Sequence, residues 1–79
     1  MDVKKLVSEA LCEQLGVSAD RILPEVDFYS DLGGDSLDFV ELIMYFEEEM
    51  DFEIEDKDVE KLRTVKEFTD YLEKRNNST

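Results

Sequence analysis

The chain is predicted to be all-α: a small antiparallel four-helix bundle with a long loop between helices 1 and 2 and a short third helix. Three observations predict it. Apolar residues recur at three- and four-residue steps in four separate segments, the spacing that puts side chains on one helical face. No segment alternates apolar and polar residues for long enough to build a sheet. Residues with capping chemistry (Gly16, Asp35, Asp56 and Thr64) stand at the segment boundaries. Seventy-nine residues make a single domain, 1–79, with no room for a second core.

The first helix is expected from Val3 to Leu15, where Val3, Leu6, Val7, Ala10, Leu11 and Leu15 share a face and Gly16 stops it. The connection from Gly16 to Asp35 is long for so small a domain. It carries Val17, Ile22, Leu23, Val26, Phe28 and Leu32, so it should lie against the core, punctuated by Pro24 and the Gly33-Gly34 pair. The second helix begins at Ser36 with Asp35 as N-cap. Its Phe39, Leu42, Ile43, Phe46 and Met50 fall on one face and should point inward. The opposite side mixes Asp38, Glu41 and Glu48 with Leu37, Val40, Met44 and Tyr45. A purely solvated face would not need those apolar residues, so the mixture suggests protein contact. A third helix fits Asp56 to Leu62, capped by Asp56 and packed through Val59 and Leu62. The fourth fits about Val65 to Lys74, capped by Thr64, with Val65, Phe68, Tyr71 and Leu72 inward. Asn76 to Thr79 reads as a frayed polar tail.

Charge narrows the function. The formal charge is −13, and residues 35–60 hold twelve Asp or Glu against Lys57 alone. Such a surface repels phosphate, so nucleic acid and anionic membranes are poor partners and basic proteins are good ones. No stretch suits a bilayer crossing, and the opening Met1-Asp2-Val3-Lys4-Lys5 lacks a secretory signal. A cytoplasmic monomer is expected. Cys12 is the only cysteine and histidine is absent, which removes an internal disulfide and the usual zinc or haem ligands.

Ser36 is the residue with a chemical role to offer. It stands where a glycine-rich loop turns into an acidic amphipathic helix, within Asp31-Leu32-Gly33-Gly34-Asp35-Ser36-Leu37-Asp38. Gly34-Asp35-Ser36-Leu37 spells the tetrapeptide of a group of serine esterases, but a serine hydrolase needs a base, and no histidine exists to supply one. The aspartates do not make a calcium loop either. Counted from Asp27, the third and sixth positions are Tyr29 and Leu32; counted from Asp31, the twelfth is Leu42. No dedicated metal site and no catalytic residue are expected. A phosphate ester on Ser36 would meet free backbone N–H groups and the positive end of the helix dipole. The serine is therefore suited to being modified by another protein. An acidic interaction module that is never modified is the alternative class.

The run from Asp31 to Asp38, with Val40-Glu41-Leu42 and Glu47-Glu48-Glu49 after it, resembles the acyl carrier proteins of dissociated fatty acid and polyketide systems. The similarity extends over nearly the whole chain: Leu15-Gly16-Val17 closes the first helix, Thr64-Val65 opens the last, and Asp70-Tyr71-Leu72 lies within it. The resemblance implies that Ser36 receives 4′-phosphopantetheine from coenzyme A through a magnesium-dependent phosphopantetheinyl transferase. The terminal thiol of that arm would hold acyl cargo as a thioester. It further implies a docking surface for basic patches on biosynthetic synthases, reductases and acyltransferases, made of Asp35, Leu37, Asp38, Val40, Glu41, Met44, Glu47 and Glu48. Around the cargo it implies an acyl cavity lined by Phe28, Leu32, Phe39, Leu42, Ile43, Phe46, Met50, Ile54, Val59, Leu62, Phe68 and Leu72. Three features depart from the pattern. Gly34 stands where fatty acid carriers often have alanine, and Gly33-Gly34-Asp35-Ser36 resembles the peptidyl carriers of nonribosomal synthesis. Glu55 replaces a frequent proline. Phe39, Phe46 and Phe68 stand where smaller residues are common, which either shrinks the cavity in favour of short, polar or aminoacyl cargo or simply packs the core.

Overall fold

The computed structural model describes residues 2–77. Four helices follow one another: α1 (Val3–Leu15), α2 (Ser36–Met50), α3 (Asp56–Val59) and α4 (Val65–Asn77), with a single 3-10 turn (Ala19–Arg21) in the long connection. α1 packs against both α2 and α4, making the small helical bundle that the periodicity predicts.

The first two helices begin and end where their local chemistry dictates. Asp2 caps α1 by accepting from the Lys5 N–H at 3.1 Å. Gly16, at φ 67°, ends it in the left-handed conformation while its N–H reaches the Cys12 carbonyl at 2.9 Å. At α2, Asp35 accepts from the Asp38 N–H at 2.8 Å and Asp38 accepts in return from the Asp35 N–H at 3.2 Å. This is a capping box built from two aspartates. Asp51, also left-handed at φ 55°, closes the helix.

α3 and α4 differ from expectation. α3 ends at Val59, three residues before Leu62, and Glu55 occupies its N-cap without a side-chain bond. Asp56 is thus the first helical residue and not the cap. Residues 60–62 continue in a tighter winding, with the N–H groups of Lys61 and Leu62 donating to Asp58 and Val59 at 3.1 Å. α4 opens as expected: Thr64 Oγ1 accepts from Glu67 N–H at 3.1 Å, and Glu67 accepts from Thr64 N–H at 2.9 Å. It runs through Asn76 and Asn77, where a frayed tail was expected; positions 78 and 79 lie outside the described residues. Arg75 anchors that last turn. Its guanidinium lies 4.4 Å from the Phe52 ring centre and donates to the Tyr71 hydroxyl at 3.0 Å. The cations Lys74 and Arg75 also suit the negative end of the dipole.

The core collects Val7, Leu11, Phe28, Leu42, Phe46, Phe68 and Leu72 as its fully buried side chains. The long loop lies on this core through Phe28 and Leu32, with Val17, Ile22 and Val26 half-buried; Leu23, expected inward, is 49% exposed. Met50 and Tyr71 are also only half-buried, Tyr71 because its hydroxyl donates to Asp58 at 3.0 Å. Backbone bonds fasten the loop to the start of α4: Phe28 N–H to the Arg63 carbonyl at 2.7 Å, Val65 N–H to Val26 at 3.0 Å and Lys66 N–H to Pro24 at 2.9 Å. The loop that precedes Ser36 is therefore part of the scaffold. No helix among the described residues is long and apolar enough to cross a membrane.

Candidate functional site

The residues before Ser36 form a tightly bonded turn. Asp27 Oδ1 accepts from the N–H groups of Tyr29 and Ser30 at 2.8 and 3.0 Å, and Asp31 accepts from the Asp27 N–H at 2.8 Å. Arg21 donates to the Asp31 carbonyl at 2.8 Å. The chain then passes two glycines with different duties. Gly33, at φ 75°, takes a conformation that side chains resist. Gly34 needs no such freedom, but a Cβ there would lie 2.4–2.9 Å from three atoms of the Phe28 ring. Its N–H donates to the Phe28 carbonyl at 3.0 Å.

This turn delivers Ser36 to the first position of α2 with its side chain exposed. The first N–H groups of a helix have no intrahelical acceptor. Asp35 takes that of Asp38 through its side chain and that of Phe39 through its carbonyl. Among the described residues, no acceptor takes the N–H groups of Ser36 and Leu37, which flank the hydroxyl in sequence. The Asp38 carboxylate, which would repel a phosphate, is turned toward the Asp35 N–H and lies 3.4 Å from Gln14 Nε2. An exposed hydroxyl, two unspent donors and a carboxylate held aside fit a phosphodiester that faces water. No residue beside Ser36 offers the basic imidazole that would make the hydroxyl a nucleophile, because the chain contains no histidine. Among the described residues, no three His, Cys, Asp or Glu side chains gather as a metal site.

Below the serine, α2 presents a continuous mixed face. Leu37, Val40 and Met44 are 66%, 52% and 60% exposed. Asp35, Glu41 and Glu48 are exposed beside them, and Glu41 accepts from Gln14 Nε2 at 2.7 Å. Asp38 and Glu47 are half-buried. Glu47 folds back to accept the Ile54 N–H at 2.8 Å, so this carboxylate holds the turn after α2.

The residues associated with an acyl cavity lie together in the interior. Phe28, Leu32, Phe39, Leu42, Ile43, Phe46, Ile54, Leu62, Phe68 and Leu72 are buried, while Met50 and Val59 are half-buried against them. The rings touch in series. Phe28 meets Phe39 edge-on at 5.6 Å, Phe68 lies 5.8 Å from Phe39, and Phe46 lies 6.1 Å from Phe68.

Sequence reasoning did not find two residues that frame the site. Tyr29 stacks on Phe39 at 5.7 Å, and the Arg63 guanidinium covers Tyr29 at 5.0 Å. Arg63 also pairs with Asp27 at 3.0 Å. That bond, with those from the Ser30 and Tyr29 N–H groups, holds the Asp27 carboxyl far below the usual carboxylate range. The partners are 36 residues apart, and their chemistry, one Arg among charged neighbours, gives no local signal. On α2, burial pushes the Tyr45 hydroxyl pKa up, with Glu49, Glu13 and Glu9 adding to the shift.

Comparison with known proteins agrees with this geometry. The family profile described as "Phosphopantetheine attachment site" matches residues 5–72. An "Acyl carrier protein" of Bdellovibrio bacteriovorus is 51% identical over 75 residues, covering 95% of this chain and 96% of that relative. The cofactor of such a domain is 4′-phosphopantetheine. A phosphopantetheine-attachment profile across most of the chain, and half-identity to an acyl carrier protein at nearly full length, place the chain in the acyl carrier protein family.

Proposed function

We propose that the protein is a non-catalytic carrier that holds acyl intermediates as thioesters on 4′-phosphopantetheine attached to Ser36. In that reaction Ser36 Oγ bonds to the phosphorus that carries pantetheine in coenzyme A. The pyrophosphate bond breaks, adenosine 3′,5′-bisphosphate leaves, and the hydroxyl proton passes to a base of the transferase. The chain's own part is positional. The Asp27–Asp31 turn and the Asp35–Asp38 capping box fix the hydroxyl at a helix start, and the N–H groups of Ser36 and Leu37 offer partial positive charge to the resulting diester. The arm supplies the thiol that holds the cargo.

The exposed hydroxyl at the first position of α2 is the observation that carries this reading. The face of Asp35, Leu37, Val40, Glu41, Met44 and Glu48 is the proposed docking surface for the transferase and for basic patches on enzymes of fatty acid, polyketide or related lipid synthesis. Asp38 and Glu47 contribute charge while serving the fold. Exposed charge of this kind steers fast, salt-sensitive encounters and permits rapid release, which a shuttling carrier needs. A tethered arm also raises the local concentration of cargo for the docked enzyme.

The test is intact mass after incubation with coenzyme A, magnesium and a broad-specificity phosphopantetheinyl transferase. One added phosphopantetheine is expected, and none in Ser36→Ala. An unchanged mass with several transferases would favour an unmodified acidic module.

A further inference from the structure

Five rings lie against one another beneath the serine loop. Phe28, Phe46 and Phe68 are 0–1% exposed and Phe39 is 7% exposed. Phe28 is held from two sides. Gly34 leaves room for its ring only by lacking a Cβ, and Tyr29 and Phe39 meet it edge-on at 5.1 and 5.6 Å. Tyr29 in turn stacks on Phe39 under the Arg63 guanidinium, which Asp27 pairs. Gly34 lies two residues before Ser36 and Phe39 three residues after it, and both contact the same ring. A chain tethered at Ser36 that turned inward between Gly34 and Phe39 would meet the buried Phe28 and Phe39 rings. Close-packed interiors do not accept added methylenes without forcing side chains from their rotamers.

We propose that the Phe28–Phe39 pair closes the interior to cargo, so that the substrates of this carrier are short or polar acyl groups, aminoacyl groups included, held outside the bundle. The proposal rests on Ser36 bearing the arm. Phe28 and Phe39 are specificity-determining residues, and Gly34 is what allows Phe28 its place.

The experiment compares acetyl and octanoyl thioesters on the phosphopantetheinylated protein by their rates of release with hydroxylamine, followed by intact mass. On the wild-type protein the two rates should agree within about a factor of two, since neither chain is sheltered. In Phe28→Leu or Phe39→Leu, octanoyl release should slow several-fold relative to acetyl, because space has opened for the chain. A wild-type octanoyl thioester that is itself several-fold protected would overturn the proposal. So would the absence of gained protection in a leucine variant that melts cooperatively. If both variants fail to fold, the wild-type comparison decides, with ring proton shifts between the acetyl and octanoyl forms as its second readout: unchanged shifts support closure and large ones refute it. Failure of the underlying reading shows earlier and differently, as a protein that never gains the arm.

Discussion

A methyl group at position 34 would lie 2.4 Å from Phe28 Cε2, although the backbone there has an ordinary φ that any residue can adopt. The glycine is thus demanded by a ring and not by a turn. Gly34→Ala should destabilise the protein by about 1–3 kcal/mol as Phe28 is forced aside. In a Phe28→Leu background the same substitution should cost far less, and urea unfolding of the four proteins in that cycle measures the coupling. Asp27 makes a second residue-scale case. Its carboxyl is depressed from the ordinary 3.8 by Arg63 and by the N–H groups of Ser30 and Tyr29, and Glu67 is depressed from 4.5 chiefly by the Thr64 and Arg63 N–H groups. Folded-state depression means that the unfolded chain binds more protons in this range. The stabilisation is therefore complete above the ordinary values and is lost as pH falls toward the folded ones. Arg63→Gln should lower the urea midpoint at pH 7, and its deficit relative to wild type should narrow as pH falls below about 4. A deficit of constant size across that range would show that Arg63 acts through packing on Tyr29 and not through the Asp27 charge.

α2 divides its labour by face. Leu37, Val40 and Met44 touch solvent, so serine at any one of them should change stability by only about 0.5 kcal/mol while slowing modification by the transferase. Glu47→Gln should do the reverse. Loss of a charged acceptor for the Ile54 N–H should cost on the order of 1 kcal/mol, with a smaller change in modification rate than those three substitutions give. Calorimetry and a modification time course on the same samples separate the two. Helix boundaries set by adjacent residues were legible in the sequence: Gly16 ends α1, Asp35 opens α2 and Thr64 opens α4 because each cap acts within three or four positions. α3 was not, because Glu55 and not Asp56 takes the cap position, and no side-chain bond marks it. The extension of α4 depends on Arg75 reaching Phe52, a contact across 23 residues that periodicity cannot reveal. The site shows the same division. Ser36 and its exposed apolar neighbours follow from counting helical faces, whereas the diversion of Glu47 around the end of α2, the contact of Gly34 with Phe28 and the Asp27–Arg63–Tyr29 assembly depend on the tertiary fold.

The molecule as a whole carries a formal charge of −13 within extents of 33 × 23 × 20 Å. At 0.01 M salt the screening length is about 30 Å, so nearly every carboxylate feels every other; at 0.1 M it is about 10 Å and only neighbours interact. Compact folding therefore works against self-repulsion at low salt. The melting temperature should rise between those two conditions, and millimolar magnesium should raise it further by binding the folded state. A melting temperature indifferent to both would contradict strong repulsion in the fold. The same concentration of charge around one exposed hydroxyl underlies the proposed carrier role, whose most direct test is to locate the arm. The chain offers Ser8, Ser18, Ser30 and Ser78 besides Ser36; of the serines among the described residues, only Ser36 opens a helix. Fragment mass spectrometry of the protein after reaction with coenzyme A and transferase should find phosphopantetheine on Ser36 alone. An arm on any other serine, or one that persists in Ser36→Ala, would contradict the account.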